Sequence, residues 1–282
     1  MDVQQNKNWF LLRKVVIDIT VLCFVGIPIL LFFYIGSANE RGFFCDDESL
    51  KYSFKNSTIT SGVLYGVGYS LPIFIMCLTE FIRLRDYKGG EQRVILGLDI
   101  PAWVWESYRC VGVFLFGCAC QQLTTDIAKY TIGRLRPHFF EVCNPSIDCS
   151  LPENQNRYIE TFTCLGTNKN LLKQMRLSFP SGHSSFSVFT MVFLALYLQT
   201  RFTWKGSKLL RHIMQLMVIV MAWYTCLSRV SDNKHHWGDV LGGFVIGFFY
   251  AITIFAYLYK PLSLGTRYSA LMESQALPRP IN

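Results

Sequence analysis

Trp237-Gly-Asp-Val-Leu-Gly-Gly-Phe-Val-Ile-Gly-Phe-Phe-Tyr-Ala-Ile-Thr-Ile-Phe-Ala-Tyr-Leu-Tyr259 carries one charge, Asp239 near its start, and is apolar thereafter. A run of this length crosses a hydrocarbon core ~30 Å thick as a helix, the element that satisfies its own backbone away from water. Five further stretches resemble it, at about 15–35, 61–81, 104–127, 179–200 and 210–228. Of the 282 residues, 51% are hydrophobic and 16% charged, with a mean hydropathy of +0.27. Soluble chains average roughly 25% charged residues. The composition excludes a soluble domain, and its apolar surplus excludes disorder. The sequence therefore predicts an all-α, polytopic membrane protein with six transmembrane helices. One membrane domain would span residues 1–260, followed by a flexible cytosolic tail over 261–282. Gly36-Ser37-Ala38 is similar to a signal-peptidase site, but the run before it exceeds the roughly 7–15 residues of a signal core, so a retained anchor is expected.

The net charge of +8 is read first as topology. Lys7, Arg13 and Lys14 precede the first stretch. Arg201, Lys205, Lys208 and Arg211 follow the fourth with no acid among them. The segments after the second and sixth stretches are also basic. All four lie on one side of a six-helix chain. That side is expected to be cytosolic, with both termini inside, and no nucleic-acid partner is needed to explain the charge.

The cysteines agree with this orientation. Six of the ten fall in the apolar stretches and read as packing residues. Cys45, Cys143, Cys149 and Cys164 fall in outer loops, where an even number suggests disulfides in any of three pairings. Zinc is the alternative, but no compact Cys/His pattern accompanies them, so no metal site is expected. Asn56-Ser57-Thr58 is a glycosylation acceptor in the first outer loop; Asn144-Pro145-Ser146 is blocked by its proline.

Helix counting brings three polar blocks to the outer face. Lys129 to Arg136-Pro137 lies where the third helix exits, and Pro180-Ser181-Gly182-His183 where the fourth enters. Ser228-Arg229, His235 and Asp239 span the fifth exit and the sixth entry. Lys129, Arg136 and Arg229 suit phosphate oxygens. Lys129 and Arg136 share a face if their helix persists, although Gly133 and Pro137 are positioned to end it. Ser181 and Gly182 at a helix start offer a hydroxyl and free N–H groups to an anion. His235 and Asp239, four apart, share a helix face. The carboxylate would accept the Nδ1–H of His235 and turn Nε2 outward as a nucleophile. His183 would then serve as acid and base. Taken singly, each residue has a plainer reading as an anchor or a helix cap. Asp126 is expected to pair with Lys129, and Asp18, Glu80, Glu106 and Arg109 need no special role.

Together the blocks resemble the three signature motifs of the type 2 phosphatidic acid phosphatases, which share a haloperoxidase-like helical core. Arg41 to Ser49 and Thr125 to Tyr130 are similar to the animal lipid phosphate phosphatases, including the Wunen type. The resemblance implies magnesium-independent hydrolysis of phosphatidate, lysophosphatidate, sphingosine 1-phosphate and ceramide 1-phosphate, with no cofactor. It implies a phosphohistidine on His235, His183 as acid/base, and Asp239 as orienter. Phosphate would be held by Lys129, Arg136, Ser181, Gly182 and Arg229. It also implies an extracellular or luminal site, homo-oligomers, and the plasma membrane, with Golgi or endosomes also open. Two competing functions remain at this level: a lipid phosphotransferase and a non-catalytic scaffold or transport protein. Six apolar helices exclude a soluble haloperoxidase.

Overall fold

The computed structural model describes residues 2–86, 93–95, 98–202, 206 and 208–260. Among them are six long helices: α1 (Asp2–Ile35), α2 (Ser61–Leu84), α3 (Ala102–Ile132), α6 (Gly182–Arg201), α7 (Lys208–Ser231) and α8 (Trp237–Ile254), the last extended by a π-helical turn, Phe255–Tyr259. The anticipated stretches coincide with these helices. α1, α3 and α7 run beyond their apolar limits because polar residues at the membrane edge continue the helix. Five helices among the described residues are long and apolar enough to cross a membrane; α6 is not one of the five. The expected tail over 261–282 lies outside the described residues.

α6 explains its own exclusion. It is the centre of the bundle, touched by α2, α3, α7 and α8. Most of its residues are buried, including Ser184, Ser185, Ser187 and Thr190. Apart from a partly buried face, it meets protein and needs no apolar exterior. α8 lies closest to it, through Gly243 and Gly247. A Cβ on these glycines would come within 2.4 Å of the Ser181 carbonyl oxygen and 2.3 Å of the Ser185 carbonyl oxygen. Small residues four apart permit this approach between membrane helices. α1 behaves oppositely: it packs on α3 and leaves its apolar residues exposed.

A cap covers the end where α1 and α3 finish. β1 (Phe43–Phe44) pairs antiparallel with β4 (Tyr158–Ile159), beside the short helices α4 (Phe139–Cys143) and α5 (Lys169–Gln174). Phe43, Phe139, Phe140 and Phe162 form its aromatic core. Of the three open pairings the fold selects Cys45–Cys149 and Cys143–Cys164. At the opposite end a hairpin, β2 (Arg93–Ile95) and β3 (Leu98–Ile100), follows α2.

That opposite end also overturns two expectations. Glu80 and Glu106 are buried rather than idle at helix ends. Arg201, counted above as a cytosolic topology charge, is buried with them. It lies 3.6 Å from Glu80 and 3.5 Å from Glu106, and donates to Tyr259 at 2.7 Å. Tyr197 donates to Glu80 at 2.9 Å. The network joins α2, α3, α6 and the end of α8 through charges that require partners once out of water.

Candidate active site

Gly133 decides how the first block is presented. Its φ of 61° ends α3, and a Cβ there would lie 2.0 Å from the Asn39 carbonyl oxygen. The helix does not persist to Arg136. The chain instead folds back, with Arg136 N–H donating to the Met175 carbonyl at 2.8 Å and Ser178 N–H to the Arg134 carbonyl at 3.0 Å. Arg136 therefore reaches the site from the fold-back and Lys129 from the helix. The Arg136 Nε is enclosed and has no hydrogen-bond partner among the described residues. Burial, opposed by Asp239 and reinforced by Arg229, brings Arg136 down to about 10, so it remains cationic near neutral pH.

The second block starts α6 as the sequence predicts. Ser181 is its N-cap, accepting from Ser184 N–H at 3.4 Å. A Cβ on Gly182 would sit 2.8 Å from the Lys129 Nζ, so the missing side chain leaves room for the ammonium at the helix start. His183 follows, in the field of Arg229, Lys129 and Arg136 and within electrostatic reach of His235. Its Nε2 is enclosed without a partner among the described residues.

The third block departs from its expected geometry. α8 begins at Trp237 with His236 as N-cap, so His235 lies before the helix and shares no face with Asp239. Asp239 instead closes a capping box: its Oδ2 accepts from His236 N–H at 3.0 Å, and it also takes the Ser178 hydroxyl at 2.5 Å. Its Oδ1 accepts from Arg134 at 2.7 Å. The Nδ1 of His235 is 2.7 Å from the Ser178 carbonyl and 3.8 Å from Asp239 Oδ2. The carbonyl thus fixes Nδ1 as the protonated nitrogen, and Asp239 acts on the ring from slightly farther off. The Nε2 makes no hydrogen bond among the described residues. Burial, helped by Arg136 and Lys129 and opposed by Asp239, pulls His235 down to about 3, so the ring is neutral near neutral pH.

Arg229 is held from behind. It donates to Ser228 Oγ at 3.0 Å and to Asp232 at 2.9 Å, and Asp232 in turn accepts from Thr58 N–H and Oγ1 at 2.8 and 2.7 Å. The loop carrying exposed Asn56 is thereby fastened beside the site. His236 faces away, its Nε2 toward the Leu135 carbonyl at 3.2 Å. Asp126 forms no ion pair with Lys129 among the described residues; both its oxygens accept from Gln122 at 3.0 Å.

Arg134, Ser178, Asp232 and His138 were not singled out from sequence. His138 is buried with its Nδ1 2.8 Å from the Asn233 carbonyl, and burial pulls it down to about 4. Lys234 lies 3.5 Å from the centroid of Phe54, and burial with nearby Arg136 and Arg229 brings it down to about 8. Only adjacency to the signature blocks could have flagged these residues. Among the described residues, no group of three or more His, Cys, Asp or Glu side chains could hold a metal ion. The arrangement joins a cationic anion seat to two histidines.

Residues 111–262 match the PAP2 superfamily. A Drosophila melanogaster protein that carries the provisional name phosphatidate phosphatase is 47% identical, over 91% of this chain and 71% of its own length. Phospholipid phosphatase 1 of Rattus norvegicus is 40% identical over 88% and 85%, and phospholipid phosphatase 2 of Bos taurus 38% over 83% and 78%. No solved structure matches the chain. The chain belongs to the PAP2 superfamily, a family of phosphatases, and is an enzyme of it.

Proposed function

We propose that the protein is a metal-independent lipid phosphate phosphatase acting on phosphatidate, lysophosphatidate, sphingosine 1-phosphate and ceramide 1-phosphate. The observation that carries this reading is the convergence of three blocks, distant in sequence, on one end of the bundle. There, among the described residues, an enclosed Arg136 Nε and His183 Nε2 both lack hydrogen-bond partners, and the Nε2 of His235 makes no hydrogen bond. Lys129, Arg136 and Arg229 neutralise the phosphate and the charge that grows on its oxygens, supported by Ser181 and the N-terminus of α6. His235 Nε2 attacks phosphorus while its Nδ1–H stays on the Ser178 carbonyl; the ester P–O bond breaks, and His183 protonates the departing alkoxide. His183 then takes a proton from water, whose oxygen cleaves the P–N bond to release phosphate and free His235. Asp239 stabilises the positive ring formed on attack.

The capped end faces the extracellular or luminal side, at the plasma membrane, with the chain termini cytosolic. The disulfides and exposed Asn56 at that end support this, as do the basic residues flanking the other ends of the helices. The test is phosphate release from phosphatidate by purified protein with chelator present. Activity is expected to be retained with chelator and lost in His235→Ala; activity that needs added magnesium, or that survives His235→Ala, overturns the reading. Hydrolysis of lysophosphatidate added outside intact cells tests the orientation.

A further inference from the structure

Beside Lys129 a groove of about 600 Å³ opens between α1, α2 and α3. Its walls are mostly apolar, among them Ile29, Leu30 and Phe33 of α1 and Tyr65 and Tyr69 of α2. The α3 wall, apolar at Leu115, Cys118 and Ala119, changes character toward Lys129. Gln122, Asp126 and Lys129 all line the groove at helical spacings of four and three, so they form one ladder on a single face. A carboxylate and an amide facing an apolar groove within a membrane bundle are costly unless something uses them. The internal bonds do not use all their capacity. Gln122 donates to both Asp126 oxygens, which leaves its own Oε1 buried without a partner among the described residues. The top of the ladder is the phosphate-binding ammonium. The next step down is a carboxylate bonded only to the Gln122 amide among the described residues, beside an unused acceptor.

We propose that Asp126 and Gln122 select lipid phosphates that carry a free amine or hydroxyl on the carbon beside the phosphate-bearing carbon, with the hydrocarbon chain lying in the groove. Asp126 stands about 4.5 Å along the helix axis from Lys129. The sequence phosphorus, oxygen, carbon, carbon, nitrogen of an amino-alcohol phosphate bridges that height. Its ammonium reaches the Asp126 carboxylate and the Gln122 Oε1 together. A hydroxyl satisfies one of them. A fully esterified glycerol backbone offers no donor, and an N-acylated amine has lost its charge. The inference rests on the lipid phosphatase reading and adds a ranking of its substrates.

The experiment measures kcat/KM in mixed micelles for sphingosine 1-phosphate, ceramide 1-phosphate and phosphatidate, with wild type, Asp126→Asn and Gln122→Leu. Asp126→Asn is expected to lower the value for sphingosine 1-phosphate about 10- to 100-fold, the range for a hydrogen bond to a charged group. The values for the other two lipids should change less than about threefold, which also reports that the variant is folded. Gln122→Leu, expected to lose about threefold on sphingosine 1-phosphate alone, gives the same answer should Asp126→Asn fail to accumulate. Equal losses on all three lipids overturn the inference and make Asp126 a counter-ion for Lys129; no loss on any lipid overturns it as well. Wild-type protein inactive on every lipid would overturn the phosphatase reading, and this inference with it.

Discussion

Asp239 divides its carboxylate among Arg134, Ser178 and the His236 amide, while a backbone carbonyl holds the His235 ring. On the proposed mechanism Arg134 is a positioning residue, which acts through the Asp239 carboxylate. Asp239→Asn is expected to lower kcat by about 100-fold or more. Arg134→Gln should cost about tenfold, with KM little changed; a rise in KM in micelle kinetics would instead place Arg134 on the phosphate. The histidines also make stability depend on pH. Burial holds His138 near 4 and His235 near 3, so the folded protein binds fewer protons than the unfolded chain below about 6.5. The histidine contribution to stability is then flat above that pH and falls on acidification toward 4. Thermal unfolding in detergent at pH 7.5 and 4.5 should show the loss, and His138→Gln should lessen it. At this scale the sequence was legible where polar residues interrupt apolar runs: Lys129, Arg136, Ser181, Gly182, His183, Arg229, His235 and Asp239 could all be named. Arg134 and Ser178 could not, because their role depends on the chain folding back after Gly133.

At the scale of elements, length and apolarity were enough to find six helices, and their limits were blurred by polar residues that continue the helical turn. The cap was not legible. β1, β4, α4 and α5 are short and take their shape from an aromatic cluster and two disulfides rather than from a repeating pattern. Removing Cys143–Cys164 with a paired serine substitution should cost about 3 kcal/mol, the entropy of leaving a loop of this size open. Urea unfolding of the detergent-solubilised protein checks it. The contact of α6 with α8 is less tolerant. Gly247→Leu places carbon against the Ser185 carbonyl, where only backbone movement gives relief. Because Ser181, at the site, also receives backbone contacts from α8, this variant should lose both thermal stability and activity.

Across the whole molecule, polarity is concentrated at both ends of the bundle, and the two concentrations differ in kind. The capped end keeps cations and histidines with unused hydrogen-bonding capacity. The other end spends its charges on itself, through Glu80, Glu106, Arg201, Tyr197 and Tyr259. Arg201→Gln is expected to destabilise by about 1–3 kcal/mol: it removes a shared cation from two buried carboxylates, which keep Arg83 at 2.9 Å and Arg109 at 2.8 Å. Glu80→Gln added to it should cost less than the two separate losses together, which a double-mutant cycle in thermal unfolding measures. Positive-inside counting could not have distinguished Arg201 from the other basic residues that follow the fourth stretch, because burial is set by helices distant in sequence. The central position of α6 has a further consequence for how the chain is made. A segment that carries buried serines and falls short of the apolarity of its five companions gains little from entering lipid alone. Its entry into the bilayer is therefore expected to be a collective event during synthesis, helped by the neighbours it packs against, α2 and α3 before it and α7 and α8 after it.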